Sequence, residues 1–235
     1  VDISKGNKTA LLFGATGLIG SHVLEQLLFD QAYAKVRTFS RKKLNLQNPK
    51  LEQHILDFDK MGDYSHLMTG DDLYLCLGTT MAKAKSKAVF RRIDLEYPLA
   101  AARIAVANGA NQALLVSSVG ASTQSLFFYL QVKGELEDSL RSLPFWGVHI
   151  FRPSFLLGER NENRFGEEVA GKIGRALDLV TGGLLMKYRP VEADIVAKAM
   201  VAAAQRFEPG IHIYPSHFLQ KLANEADQEF RRLPG

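Results

Sequence analysis

"FGATGLIGSHV", residues 13–23, closes a short apolar run and sets glycines at 14, 17 and 20, a G-x-x-G-x-x-G spacing. The run before it, TALLF at 9–13, suits a strand buried on both faces of a parallel sheet. After it, Ile19, Val23, Leu24, Leu27 and Leu28 recur at helical spacing up to Phe29. The stretch therefore predicts strand, glycine turn, helix. A helix N-terminus presents unpaired backbone N–H groups and partial positive charge, which suits a pyrophosphate if nothing blocks its approach. In this reading Gly14 permits the tight turn, Gly17 lets the backbone near the phosphates, and Gly20 lets the helix lie close to the sheet. A glycine turn without a ligand is the plain alternative, and the strand-to-helix context favours the dinucleotide.

The same alternation continues outward. VRTFS (36–40), QHILDF (53–58), DLYLCLG (72–78), QALLVSSVG (112–120) and VHIFRP (148–153) read as further strands. Helices are predicted from about Val89 to Asn108, stopping at Gly109, and over FFYLQVKGELEDSL, 127–140. Strands alternating with helices imply right-handed crossovers and an α/β fold with a doubly wound parallel sheet, the Rossmann fold. The chain of 235 residues is expected to form a single domain, with a dinucleotide-binding core over 1–153 and a small C-terminal substrate-side lobe over 154–235. In that second part a helix is read around 166–180, a turn at TGG (181–183), an amphipathic helix over 191–205, a strand at IHIY and a last helix from Ser216.

The bulk numbers narrow the class. With 46% hydrophobic and 23% charged residues the composition is that of a globular chain. Net charge is +4, a mild surplus compatible with an anionic ligand that does not call for nucleic acid. One cysteine, Cys76, forms no internal disulfide and reads as a small buried side chain. The absence of a long apolar run and the polar start VDISKGNK lead to expectations of no membrane span and of a cytoplasmic protein. The six histidines are scattered, so no metal site is expected, and no G-x-S-x-G elbow is present.

At the end of the second strand an Asp or Glu would hold a free ribose 2′-hydroxyl, whereas a 2′-phosphate calls for cations. The chain reads FSRKKL there, with Arg41, Lys42 and Lys43 and no acid, so NADP(H) is expected in preference to NAD(H). Further on, YLQVK places Tyr129 and Lys133 one helical turn apart on one face. A phenol has a pKa near 10, and a neighbouring cation that stabilises the phenolate suits it to proton transfer. Upstream stand Ser117 and Ser118, only one of which can face the site if the strand alternates. The lysines and arginines of MAKAKSKAVFRR (81–92) are either a solvated surface or a docking patch for an acidic partner.

Taken in order, GATGLIG, RKKL, CLGTT, LLVSSVGAS, FYLQVKGELE and FRPSFLLGERNENR resemble the short-chain dehydrogenase/reductase superfamily. They are most similar to its atypical or extended branch and the Tat-interacting-protein oxidoreductase group, and the likeness covers roughly residues 8–165. The resemblance implies catalysis by Ser118, Tyr129 and Lys133, with Tyr129 as acid/base and Lys133 also on the nicotinamide ribose. It places Thr16, Leu18 and Ile19 along the phosphates, Arg41 and Lys42 at the 2′-phosphate, and Asp57 at the adenine. Leu77, Gly78 and Thr79 would pass the adenosine and ribose, Pro153, Phe155 and Leu156 would lie by the nicotinamide, and Arg164 would reach in from the lobe. Ser118 stands eleven residues before Tyr129, where classical members place the serine thirteen before.

The expected activity is oxidoreduction of a carbonyl/alcohol pair on a small-molecule substrate. A nucleotide-dependent binding or regulatory protein, and an epimerase or dehydratase with bound cofactor, are the alternatives. A protein partner or a homodimer stays open.

Overall fold

The computed structural model describes residues 6–154, 156–157 and 190–232. Its centre is a seven-stranded sheet in the order β3-β2-β1-β4-β5-β6-β9. The strands are β1 (Lys8–Phe13), β2 (Tyr33–Ser40), β3 (Leu51–Ile55), β4 (Asp72–Leu75), β5 (Gln112–Val116), β6 (Gly147–Arg152) and β9 (Gly210–Pro215), and every pairing is parallel. A two-stranded parallel pair, β7 (Leu156–Leu157) and β8 (Val191–Glu192), stands apart from it.

Side chains alternate across the sheet with period two, and each face has its own core. Ala10 and Leu12 of β1 join one cluster with α1 (Leu18–Phe29), α6 (Ala193–Gln205) and α7 (Ser216–Arg232). Leu11 and Phe13 of the same strand join the other, with α4 (Tyr97–Ala107) and α5 (Phe128–Arg141). Both faces are covered, as a parallel sheet requires. Helix α6 carries alanines at 197, 199, 203 and 204, all fully buried, and these thin side chains allow close approach to α1 and the strands. Val196 and Met200 fill the remaining space without exposure.

Two of the sequence expectations change here. After the short helix α2 (Met81–Ala84), the helix predicted from Val89 to Asn108 is three segments in succession: α3 (Lys87–Arg91), a π turn (Arg92–Glu96) and α4. Pro98 sits in the first turn of α4 and lacks the N–H that a continuous α-helix would use. The division at residue 153 also differs for the described residues, since β9 adds a seventh strand beside β6 and α6 packs on α1. Residues 190–232 thus extend the main layers, because the apolar faces of α6 and α7 have the sheet to cover. The helix read around 166–180 and the turn at 181–183 lie outside the described residues.

Near the amino ends of the strands runs a buried polar chain. Lys8 Nζ meets Asp72 Oδ2 at 2.5 Å, and the Tyr33 hydroxyl donates to the same oxygen. Gln112 Nε2 donates to Asp72 Oδ1 at 2.9 Å and to the Ala204 carbonyl at 3.1 Å. That leaves Gln112 Oε1 to accept from His149 Nε2–H at 3.1 Å, so His149 Nδ1 accepts from the Tyr214 hydroxyl at 3.1 Å. Six strands, β1, β2, β4, β5, β6 and β9, are joined this way.

Candidate dinucleotide site

Strand order reverses between β1 and β4, the point where open α/β sheets bind ligands beyond the strands' carboxyl ends. A cavity of about 590 Å³ opens there. Gly14 has φ +92°, and a Cβ on it would stand 2.5 Å from the Cys76 carbonyl carbon, so the turn crosses the end of β4 with no room for a side chain. Gly17 is the N-cap of α1, no side chain caps that helix, and its N–H donates to the Gly14 carbonyl at 2.8 Å. Gly14, Thr16, Gly17, Leu18 and Ile19 all line the cavity. This cradle, open at an uncapped helix N-terminus, fits a pyrophosphate. Gly20 is not in the lining; its Cβ would fall 2.0 Å from the Gly14 carbonyl oxygen, so it serves the packing of turn on helix.

At the end of β2, Ser40 and Arg41 line the cavity. Lys42 does not, and its carbonyl accepts the Ser40 hydroxyl at 2.6 Å. Asp57 lines it beyond β3, capping a 3₁₀ segment (Phe58–Leu67) by accepting the Asp59 N–H at 3.0 Å. Leu77, Gly78 and Thr79 border it after β4, and Pro153 after β6. Leu156 lies in β7, paired with Val191 of β8. Phe155 and Arg164 lie outside the described residues.

Helix α5 brings the phenol and ammonium groups to the same wall. Tyr129 is half-buried with its ring 5.7 Å from that of Phe90, and Lys133, one turn on, is buried. The two serines at the end of β5 part ways. Ser117 is buried and donates from Oγ to Glu137 Oε1 at 2.5 Å, whereas Ser118 is half-buried with its hydroxyl 3.4 Å from the Val119 carbonyl. Both border the cavity, and Ser118 is the one whose hydroxyl is not committed to a carboxylate. Cys76 also lines it, and burial pushes its thiol up to about 12.

Asp94 escaped the sequence reading. It stands on the π turn, buried, with Oδ2 accepting the Thr79 N–H at 2.8 Å and Oδ1 at 2.9 Å from Lys133 Nζ. Regular spacing through 89–108 gives no reason to aim it inward; Pro98 was the available signal that the helix breaks. Glu137 was missed as well. Buried beneath the site, it holds Ser117, Arg152 Nε at 2.9 Å and Arg141 at 3.3 Å, and it stands four residues after Lys133 on the same helix face.

A model of the NAD(P)H-binding family matches residues 14–205. Among curated proteins the chain is 38% identical to Protein HTATIP2 of Rattus norvegicus over 175 residues, covering 73% of this chain and 72% of the rat protein. It is 34% identical over 228 residues to "Protein FMP52, mitochondrial" of Candida albicans, covering 92% and 98%. A UDP-N-acetylglucosamine 4-epimerase from Methanobrevibacter ruminantium superposes with TM-score 0.67 at 16% identity, over 89% of this chain and 77% of that one. MoeE5 in complex with UDP-glucose and NAD does so with TM-score 0.66 at 14% identity, over 92% and 81%. At such identities these two show the fold alone.

The cytoplasmic expectation is corrected by these relatives. The FMP52 proteins of Candida albicans and Candida glabrata, relatives over most of the chain, are named mitochondrial. The lack of a long apolar run and the polar stretch VDISKGNK, on which the expectation rested, do not distinguish one compartment from another. No helix among the described residues is long and apolar enough to cross a membrane. With the glycine cradle, the strand-order reversal and the match over 14–205 in place, the chain belongs to the NAD(P)H-binding family, in the atypical short-chain dehydrogenase/reductase group with HTATIP2 and FMP52.

Proposed function

We propose that the protein is an NADP(H)-dependent oxidoreductase of short-chain type acting on a carbonyl/alcohol pair of a small-molecule substrate. The observation that carries this reading is the meeting of Ser118, Tyr129 and Lys133 with the Gly14–Ile19 cradle around one cavity. When bound, the nicotinamide supplies hydride transfer to or from the substrate carbon. In the reducing direction the Tyr129 hydroxyl gives its proton to the substrate oxygen, and Ser118 donates a hydrogen bond to that oxygen. Lys133 stabilises the phenolate left behind and binds the nicotinamide ribose. Arg41 meets the 2′-phosphate with Lys42 behind it, Asp57 meets the adenine, and Gly78 and Thr79 border the ribose.

The test is a titration with NADPH and with NADH followed by nicotinamide fluorescence, on the protein and on Arg41→Asp. Support is preference for NADPH that the variant loses by tenfold or more, about 1.4 kcal/mol. Binding of neither nucleotide overturns the proposal. A second reading, a nucleotide-dependent binding protein, draws on Leu126 and Phe127, which expose 97% and 72% of their surface just before α5. Tyr129→Phe separates the two, since it removes turnover and leaves partner binding intact.

A further inference from the structure

Beside the cavity mouth, the segments that carry α2, α3 and the start of α5 form one surface. Between Asp72 and Asp94, and again between Glu96 and Glu135, the chain holds no Asp or Glu. The two acid-free stretches meet in space: Lys87 Nζ lies 5.1 Å over the Phe128 ring, and the Phe90 and Phe128 rings are 5.7 Å apart. Arg91 of α3 closes the contact with two hydrogen bonds to Glu135 of α5. Lys83, Lys85 and Lys87 are all exposed. The acids at the border, Glu135 and Asp59, face Arg91 and Arg92. With those three lysines and two arginines against Asp59, Glu96 and Glu135, the surface is positive. Lys85 is the C-cap of α2 at φ +61°, a conformation that favours glycine, so the turn carries a cation against its local preference.

Apolar side chains stand out of this cationic surface. Leu126 and Phe127, just before α5, expose 97% and 72% of their area, and Met81 and Val89 are exposed on α2 and α3. Lys83 and Val89 also line the cavity, so the surface is continuous with its mouth. A side chain as exposed as Leu126 touches almost nothing of its own molecule and projects as a prong. A protein partner would have to offer a pocket cut to its shape, whereas a hydrocarbon layer accepts a projecting apolar group of any shape. Lysines beside it suit the depth of phospholipid headgroups, with their stems along the apolar boundary and their charges among the phosphates.

We propose that the surface formed by α2, α3 and the segment before α5 docks the protein on an anionic phospholipid bilayer. Leu126 and Phe127 enter the acyl boundary of one leaflet, and Lys83, Lys85 and Lys87 meet the headgroups. The cavity mouth then opens beside the lipid surface. The proposal goes beyond the oxidoreductase reading and does not depend on it.

The experiment is flotation of the full chain with phosphatidylcholine vesicles and with phosphatidylcholine vesicles carrying about 30% phosphatidylserine. Binding to the anionic vesicles that weakens as salt is raised is expected. The double variant Leu126→Ser, Phe127→Ser, and separately Lys85→Glu, Lys87→Glu, should each weaken it by about tenfold or more. Lys198→Glu, Lys221→Glu changes the net charge equally on α6 and α7, across the sheet, and should have a smaller effect. Leu126→Trp reports insertion directly: brominated lipids should quench its fluorescence beyond any change in the parent chain, whose one tryptophan is Trp146. No binding to the anionic vesicles overturns the proposal. So does binding that survives both double variants, or that the α6 and α7 variant weakens as much. Binding to polyglutamate in place of vesicles also overturns it and assigns the surface to an acidic protein.

Discussion

Ser117 Oγ donates to Glu137 Oε1 at 2.5 Å in the protein interior, while its neighbour Ser118 borders the cavity. Alternation at the end of a strand sends adjacent side chains to different sides, and here it divides two chemically identical residues between support and reaction. Ser117→Ala should therefore lower stability by about 1–2 kcal/mol, having taken a donor from a buried carboxylate. Ser118→Ala should leave the denaturant midpoint unchanged and lower kcat. Urea melts and steady-state rates on the two variants decide it, and a reversed pattern would exchange their roles.

Glu137 holds Ser117, just after β5, Arg152 of β6 and its own helix together. Glu137→Ala takes the carboxylate from Arg152 and leaves Arg141 with Asp138 at 3.4 Å, and a loss of about 3 kcal/mol is expected. Both arginines are part-exposed, at 27% for Arg152 and 31% for Arg141, so water can recover some of that cost. Chemical denaturation measures it directly.

Gly134 is next to Lys133 and has no space for a methyl group. A Cβ would lie 2.4 Å from the Ser122 carbonyl carbon and 2.5 Å from the Thr123 nitrogen, both of them backbone. Gly134→Ala must push α5 away from the loop it crosses and carry Tyr129 and Lys133 with it. We expect a loss of about 1–3 kcal/mol, together with a fall in activity larger than that of Ser117→Ala. A helix-stabilising effect of alanine, seen as a raised melting temperature, would contradict the packing described.

His149 is fully buried, and its imidazole is pushed down to about 3, first by burial and then by the nearby His212 and Arg206. The unfolded chain binds a proton there near pH 6.5, whereas the folded chain stays neutral until about pH 3. Its contribution is thus present above the unfolded pKa and is lost as pH falls toward the folded one. Stability should decline by up to about 1.4 kcal/mol per pH unit across that window from this group alone. His149→Gln should flatten the slope in urea melts taken between those pH values, and an unchanged slope would assign the acid sensitivity to other groups.

How much of this was legible in the sequence depends on which physical signal each feature carries. The turn at 14–20 was readable because backbone geometry demands glycine and the demand is local. Helix α5 was readable because Tyr129 and Lys133 share a face whatever lies opposite. Asp94 was not, because a π turn shifts the phase of side chains by one residue without altering hydrophobic content. Gln112 and Glu137 read as ordinary polar residues, since their partners come from strands and helices far along the chain. The single basic run RKKL was legible as charge, yet only Arg41 of it reaches the cavity wall, because Ser40 turns the chain by binding the Lys42 carbonyl. The last strand was visible as IHIY, but its place beside β6 is a matter of topology that periodicity does not encode.

The polar chain from Lys8 through Asp72, Gln112 and His149 to Tyr214 lies near the end of the sheet opposite the cavity. Its members recognise their neighbours by charge and hydrogen-bond complementarity, so a strand out of order or out of register would strand a buried polar group. The molecule therefore keeps its architectural identity at one end and its chemistry at the other. A lineage can remodel the mouth for new ligands while the opposite end continues to specify which strand lies beside which.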